Sequence, residues 1–199
     1  MDRRLRRSFN KLIYLLTDAG HIMSQDAIII EPYNPEWPRL AREEIQHLKM
    51  LLDFDWVVDI VHIGSTAVPD LSAKPIIDLM IGLNDFNQAK LIIPILEKED
   101  YVFWQDNPKT DRLFFVKGMP PFGEKRTHHV HVCSIENTEW INRPLFRDYL
   151  INKPDVKAQY AELKIFLAQK FPDDREAYTE AKTEFIKRIT AEAHKGINA

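Results

Sequence analysis

The sequence holds one cysteine, Cys133, so no disulfide can form within the chain and a cysteine-rich zinc site is excluded. A chain with that redox chemistry is expected in the cytoplasm. No apolar run reaches the roughly 20 residues of a membrane-spanning helix, so no membrane partner is expected. Positive charge is not in excess either. Lys and Arg number 27 against 30 Asp and Glu, a formal net charge of −3. That balance weighs against a mainly electrostatic nucleic-acid binder. The lysines near the C-terminus (Lys153, Lys157, Lys164, Lys170, Lys182, Lys187) are interleaved with acids and read as a solvated amphipathic face. Internal repeats and low-complexity segments are absent as well.

What remains is an ordinary globular composition, 45% hydrophobic and 29% charged over 199 residues. It suffices for one good core or for a domain with a helical appendage. The opening MDRRLRRSFNKLIYLL begins like a signal peptide, but its apolar run is too short and an amphipathic leader helix is expected. Residues 1–26 read as an N-terminal extension. A second methionine, Met23, leaves open whether residues 1–22 belong to the native protein.

Residues 27–138 carry strand signals, and residues 139–199 carry helical ones. AIIIEPYNPEW reads as a short strand and a Pro-punctuated turn, with Asn34 as a helix N-cap. WPRLAREEIQHLKMLL has helical periodicity. VVDIVHIG, KPIIDLMIGL, YVFWQ, DRLFFVKG and THHVHVCSI read as strands, the second apolar enough to be covered on both faces. QAKLIIPILEKE reads as a helix limited or kinked at Pro94. Three further helices, PLFRDYLINK, DVKAQYAELKIFLAQKF and REAYTEAKTEFIKRITAEAHK, are punctuated by Pro154 and Pro172. The expected fold is α/β (α+β): a mixed sheet with flanking helices and a helical C-terminal tail packed on it.

The chemistry concentrates in HIGSTAVPDLSAKPIIDLM, residues 62–80. A Gly64-Ser65 step after a strand lets backbone N–H groups approach a phosphate, and the serine hydroxyl adds a donor. Asp78 falls inside an apolar strand on the same face as Ile76 and Met80. A carboxylate there needs a partner, either a divalent cation or a lysine such as Lys74. His129 and His131 share one face of their strand and His128 takes the other. If that strand lies beside the Asp78 strand, two imidazoles meet one carboxylate, a set that suits Mn²⁺, Fe²⁺ or Zn²⁺ better than Mg²⁺. Arg126 adds a fixed cation suited to phosphate. Tyr178 and Lys182 are four residues apart, on one helix face that can close over the site with Lys182 toward a phosphate.

The pattern of hydrophobic-Gly-Ser, twelve residues, then Asp between hydrophobics resembles the nucleotidyltransferase superfamily signature. The closer resemblance is to the GrpB family of small proteins assigned to that superfamily. It rests on EPYNPEW, HIGSTAVPDLSAKPIIDLM, THHVHV, FRDYL, YAELK (160–164) and AYTEAKTEFI (177–186), in that order, over residues 28–194. It implies a nucleotidyltransferase-like α/β core with a triphosphate at the Gly-Ser step and magnesium on strand carboxylates, but no particular reaction. The sequence departs from the signature at Met80, where active transferases usually carry a second carboxylate.

Two functions are therefore expected in competition. One is metal-assisted transfer of a nucleotidyl or phosphoryl group, with Asp78, His129 and His131 as metal ligands (Mg, Mn or Zn) and a histidine as general base. Its phosphate contacts are His62, Gly64, Ser65, Thr66, Lys74, Arg126, Tyr178 and Lys182. The other is a non-catalytic module binding a nucleotide or a CoA-like anion. Oligomeric state is not legible in the sequence.

Overall fold

A computed structural model of the chain describes residues 27–107 and 109–197, together with strands β1 (Tyr14–Leu15) and β2 (Met23–Ser24). Apart from that two-residue antiparallel ladder, the expected leader helix lies outside the described residues.

Five strands form one mixed sheet: β3 (Val57–Ile63), β4 (Ile77–Leu83), β5 (Tyr101–Phe103), β6 (Arg112–Lys117) and β7 (His128–Ser134). Their spatial order is β3-β4-β7-β6-β5, with β4 and β7 parallel and every other pair antiparallel. Helix α1 (Trp37–Leu51) and the short α2 (Ile93–Glu97) cover one face. There Trp37, Leu48, Ile77, Leu79, Ile81, Phe115, Val130 and Val132 form the main core.

The alternating residues of β4 and β7 turn to the other face, where Ile63, Met80 and Cys133 form a smaller cluster against Trp140. Burial on both faces explains why β4 is apolar apart from Asp78. Gly82 is needed there, since a Cβ at that position would lie 2.7 Å from the Trp140 ring.

After β7 the chain is helical: α3 (Thr138–Asn152), α4 (Pro154–Lys170), α5 (Arg175–Ala181) and α6 (Thr183–Ile197). Asn137 and Asp174 cap α3 and α5 by accepting from the backbone N–H groups of Glu139 and Ala177. Val68 and Leu71 pack with Leu150 and Tyr160, which ties the loop after β3 to α3 and α4. Among the described residues no helix is long and apolar enough to cross a membrane.

Several local expectations need correction. The strand expected from Ala27 is an extended segment joined to the fold by an isolated bridge, Glu31 to Ala73, by a hydrogen bond from the Ile28 N–H to the Pro172 carbonyl, and by packing of Ile28 on Leu167 and Tyr178. Asn34 caps a turn, accepting from the Glu36 backbone N–H at 2.9 Å, and α1 begins at Trp37. The helix expected to start near Pro144 begins six residues earlier, at Thr138, after the Asn137 cap. The last expected helix is two, broken between Ala181 and Thr183. The QAKLIIPILEKE helix is a 3₁₀ turn, Phe86–Ile92, followed by α2 from Ile93.

Candidate active site

The parallel β4–β7 pairing sets Asp78 directly opposite His129 and Met80 opposite His131. Asp78 Oδ1 and His129 Nδ1 are 2.9 Å apart, a hydrogen bond in which the ring nitrogen donates to the carboxylate. Phe114, from β6 on the same face, meets the His129 ring edge-on at 5.2 Å and stacks on His131 at 4.9 Å. Nε2 of His129 and Nδ1 of His131 are buried without a hydrogen-bond partner among the described residues.

Gly64 closes the site from the β3 side. Its φ of 74° and ψ of −171° lie in a region that favours glycine, and a Cβ there would fall 2.5 Å from Asp78 Oδ2. The next residues turn into a 3₁₀ element, Ser65–Ala67. The Ser65 hydroxyl faces that of Tyr160, and Thr66 is fully buried. Thr66 Oγ1 bonds His62 Nε2 at 2.9 Å and the Ile76 carbonyl at 3.3 Å, so it pins the loop internally. His62 is paired with Leu79 across the ladder, which turns its side chain to the sheet face opposite Asp78. Arg147 Nη1 donates to the His62 carbonyl at 2.6 Å and fixes the end of the strand.

Basic side chains gather around this lone carboxylate. Lys74 and Lys182 lie 5.1 and 4.2 Å from the centroid of the buried Tyr178 ring, and Lys164 lies 5.0 Å from that of Tyr160. Lys164 is itself buried and donates to the Ser72 carbonyl. Burial, aided by Lys182, Arg175 and Arg126 and opposed by Asp78, brings Lys74 down to about 7. Burial brings Lys164 to about 7 and Lys182 to about 8. Arg126 lies over the Trp104 ring at 5.4 Å.

Burial works to raise the Asp78 pKa, but the His129 hydrogen bond and the nearby positive charge, Lys74 foremost among the lysines, hold it below the usual carboxylate range. His129 is lowered chiefly by burial, against the pull of Asp78, and His131 is lowered further by burial and by Arg143 and Arg112.

Asp78, His129, His131, Gly64, Ser65, Lys74, Arg126, Tyr178 and Lys182 thus collect on or beside one sheet face, while His62 and Thr66 serve the loop from behind. The residues fit a metal poorly. Asp78 is engaged by His129, the next residue on that face is the buried Met80, and His131 faces Arg112 and Arg143. Among the described residues no group of three or more His, Cys, Asp or Glu is placed to hold an ion. Sequence reasoning missed Tyr160, Lys164, Arg143, Arg147 and Arg175. Lys164 had a signal: Tyr160, Lys164 and Leu167 repeat at i, i+4 and i+7, which puts a lysine in a buried stripe.

Acid is expected to weaken the fold in two steps. Burial holds His62 down to about 4, so between pH 6.5 and about 4 the unfolded chain takes up a proton that the folded chain refuses. Stability is lost as pH falls through that window. The Asp78 contribution is complete above the unfolded value of 3.8 and is lost as pH falls through the lower folded value. Asp78→Asn should remove about 2 kcal/mol at pH 7 by trading a charge-assisted hydrogen bond for a neutral one, and should flatten the lower step. Urea melts of both proteins from pH 7 to 3 check this; parallel curves would refute the assignment.

A family model described as "GrpB protein" matches residues 27–192. A UPF0157 protein of Pseudomonas aeruginosa is 45% identical over 168 residues, covering 84% of this chain and 68% of that protein. The UPF0157 protein YqkA of Bacillus subtilis is 35% identical over 173 residues, covering 87% of this chain and 49% of that protein. The chain therefore spans about half the length of the Bacillus relative. The crystal structure of conserved protein GrpB from Enterococcus faecalis is similar with a TM-score of 0.76 and 37% identity, over 86% of this chain and 100% of that one.

Proposed function

The chain belongs to the GrpB family, and from that premise and the charge arrangement around Asp78 we propose that it binds a phosphate-bearing small molecule, a nucleotide or a CoA-like anion. The observation that carries this reading is the convergence of Lys74, Lys164 and Lys182 on Tyr160 and Tyr178 beside a single carboxylate. In a chain of net charge −3, cations are not needed there for solubility. Three ammoniums with lowered proton affinity are costly to hold together, and an anionic ligand relieves that cost. The Gly64-Ser65 turn supplies backbone N–H groups next to them. Phosphoryl or nucleotidyl transfer is the further step under this reading, with His129 as the base that Asp78 orients. A cytoplasmic setting belongs to the same reading, since a single cysteine leaves the chain without an internal disulfide.

The test is a thermal-shift panel of ATP, GTP, CTP, UTP and CoA, each with and without Mg²⁺, Mn²⁺ and Zn²⁺. A ligand present at a hundred times its Kd stabilises by roughly 2.7 kcal/mol, on the order of 5–10 °C for a chain of this size. At least one of these ligands is expected to reach that shift. A flat panel would refute the reading.

A further inference from the structure

We propose that the Lys74 and Lys182 ammonium groups take the place of a divalent cation in this site, so that it holds a diphosphate or triphosphate group beside the Gly64-Ser65 turn without metal. This rests on the phosphate-ligand reading above and narrows it to a class of ligand and a mode of binding.

The argument begins with the charge count. A metal-bridged polyphosphate needs several anionic oxygens from the protein to hold the ion. Here one carboxylate, Asp78, is available, and one of its oxygens is 2.9 Å from His129 Nδ1. The next position on that face is a buried methionine, Met80.

The cations are of the opposite abundance. Lys74 and Lys182 are held against the same ring, that of Tyr178, so two ammoniums share one small region. Around Lys74 stand Lys182 and Arg175 from the C-terminal helical segment, Arg126 from the loop before β7, and Asp78 from β4. Around Lys182 stand Asp78 and, from α3, Arg143. Lys164, from α4, faces both lysines. Asp78 is the carboxylate that acts on both lysines. Asp78 offsets one of the three charges on Lys74, Lys164 and Lys182, so the complementary ligand carries two or more, as a terminal phosphate does and a diphosphate or triphosphate does most fully, and as a phosphodiester does not. Two ammoniums lack the fixed coordination geometry of a divalent metal but together supply the same charge, with three donors each.

A pH effect of definite sign follows. Lys74 and Lys182 lose protons in the free protein above about 7 and 8. A bound anion favours the charged forms, so binding above that range must take up protons and affinity falls as pH rises. A site built on carboxylate and histidine ligands to a metal behaves oppositely, because its ligands are freed as pH rises.

The experiment is titration calorimetry of the full chain with inorganic pyrophosphate and with ATP, in EDTA and in Mg²⁺, at pH 7 and pH 9. The expected result is binding in EDTA within about threefold of that in Mg²⁺, weaker at pH 9 than at pH 7. Lys74→Gln and Lys182→Gln should each lower affinity tenfold or more, while Lys182→Arg keeps most of it. Both glutamine variants should melt close to the parent, since each removes repulsion from the other lysine together with attraction to Asp78, and this separates lost binding from lost folding. Binding seen only with Mg²⁺ would overturn this proposal and leave the phosphate-ligand reading standing. Metal-free binding unchanged in both glutamine variants would also overturn it. No binding of either probe under any condition would overturn the proposal, and the reading falls with it only where the nucleotide and CoA panel is flat as well.

Discussion

Gly64→Ala is expected to destabilise the protein by about 4 kcal/mol and to dismantle the Asp78–His129 pair. Two effects add. The backbone at this residue, with φ 74° and ψ −171°, lies in a region that L side chains rarely occupy, a strain of roughly 1–3 kcal/mol. In addition, the new methyl would lie 2.5 Å from Asp78 Oδ2, so the carboxylate must move. That movement breaks its charge-assisted hydrogen bond to His129, at roughly 1.5–3 kcal/mol. For a chain of this size the combined loss lowers Tm on the order of 10 °C. A melt within 2 °C of the parent would mean that Gly64 does not clamp the carboxylate. Ser65→Ala next door is the comparison: it loses only the hydroxyl contact to Tyr160, roughly 1 kcal/mol, and leaves the Asp78–His129 pair in place.

The same glycine shows how far the sequence could be read. A Gly-Ser step after a β-branched run marks a turn, and strand alternation then put Asp78, Met80, His129 and His131 each on a definite face. The neighbouring of β4 and β7 was left conditional, because strand pairing is set by packing across the whole sheet. The parallel register of Asp78 on His129 makes that condition true. Helix ends were harder to place. Asn137 begins α3 well before the Pro144 that looked like its start, because proline is tolerated inside this helix. The break at Lys182 interrupts an otherwise continuous periodic pattern, and nothing in its local composition announces it.

The cationic cluster was legible only in part. Lys182 and Tyr178 share a helix face by spacing alone, but Lys74 and Lys164 reach the same aromatic pair through tertiary packing. Charge patterning sees acids interleaved with the lysines along the chain. It cannot see that Lys74, Lys164 and Lys182 point inward while their acidic neighbours point out. That partition is what separates a solvated face from a buried cationic cluster, and it depends on how α4 and α5 seat against the β3–β4 loop.

Met80→Asp is expected to cost about 3 kcal/mol and to gain no metal affinity. By sequence, this substitution restores the carboxylate that transferase sites carry two residues after the first. The structure places Met80 elsewhere in effect: it is fully buried with Ile63 and Cys133 beneath Trp140. Truncating a buried methionine to a short side chain costs roughly 2–5 kcal/mol in lost burial and cavity. The new carboxylate must also leave water, and the one partner it gains, His131 Nδ1, which lies opposite without a hydrogen bond, offsets only part of that cost. An aspartate so engaged repeats the Asp78–His129 arrangement one step along the strands, and two carboxylates each tied to a histidine offer a metal little. Met80→Leu keeps volume and polarity and should cost less than about 1.5 kcal/mol. Urea unfolding of the two variants, with and without Mn²⁺, measures both claims at once. A Met80→Asp protein as stable as its parent and further stabilised by Mn²⁺ would mean that the site is a metal site short of one ligand, and the lysine reading would fall with it.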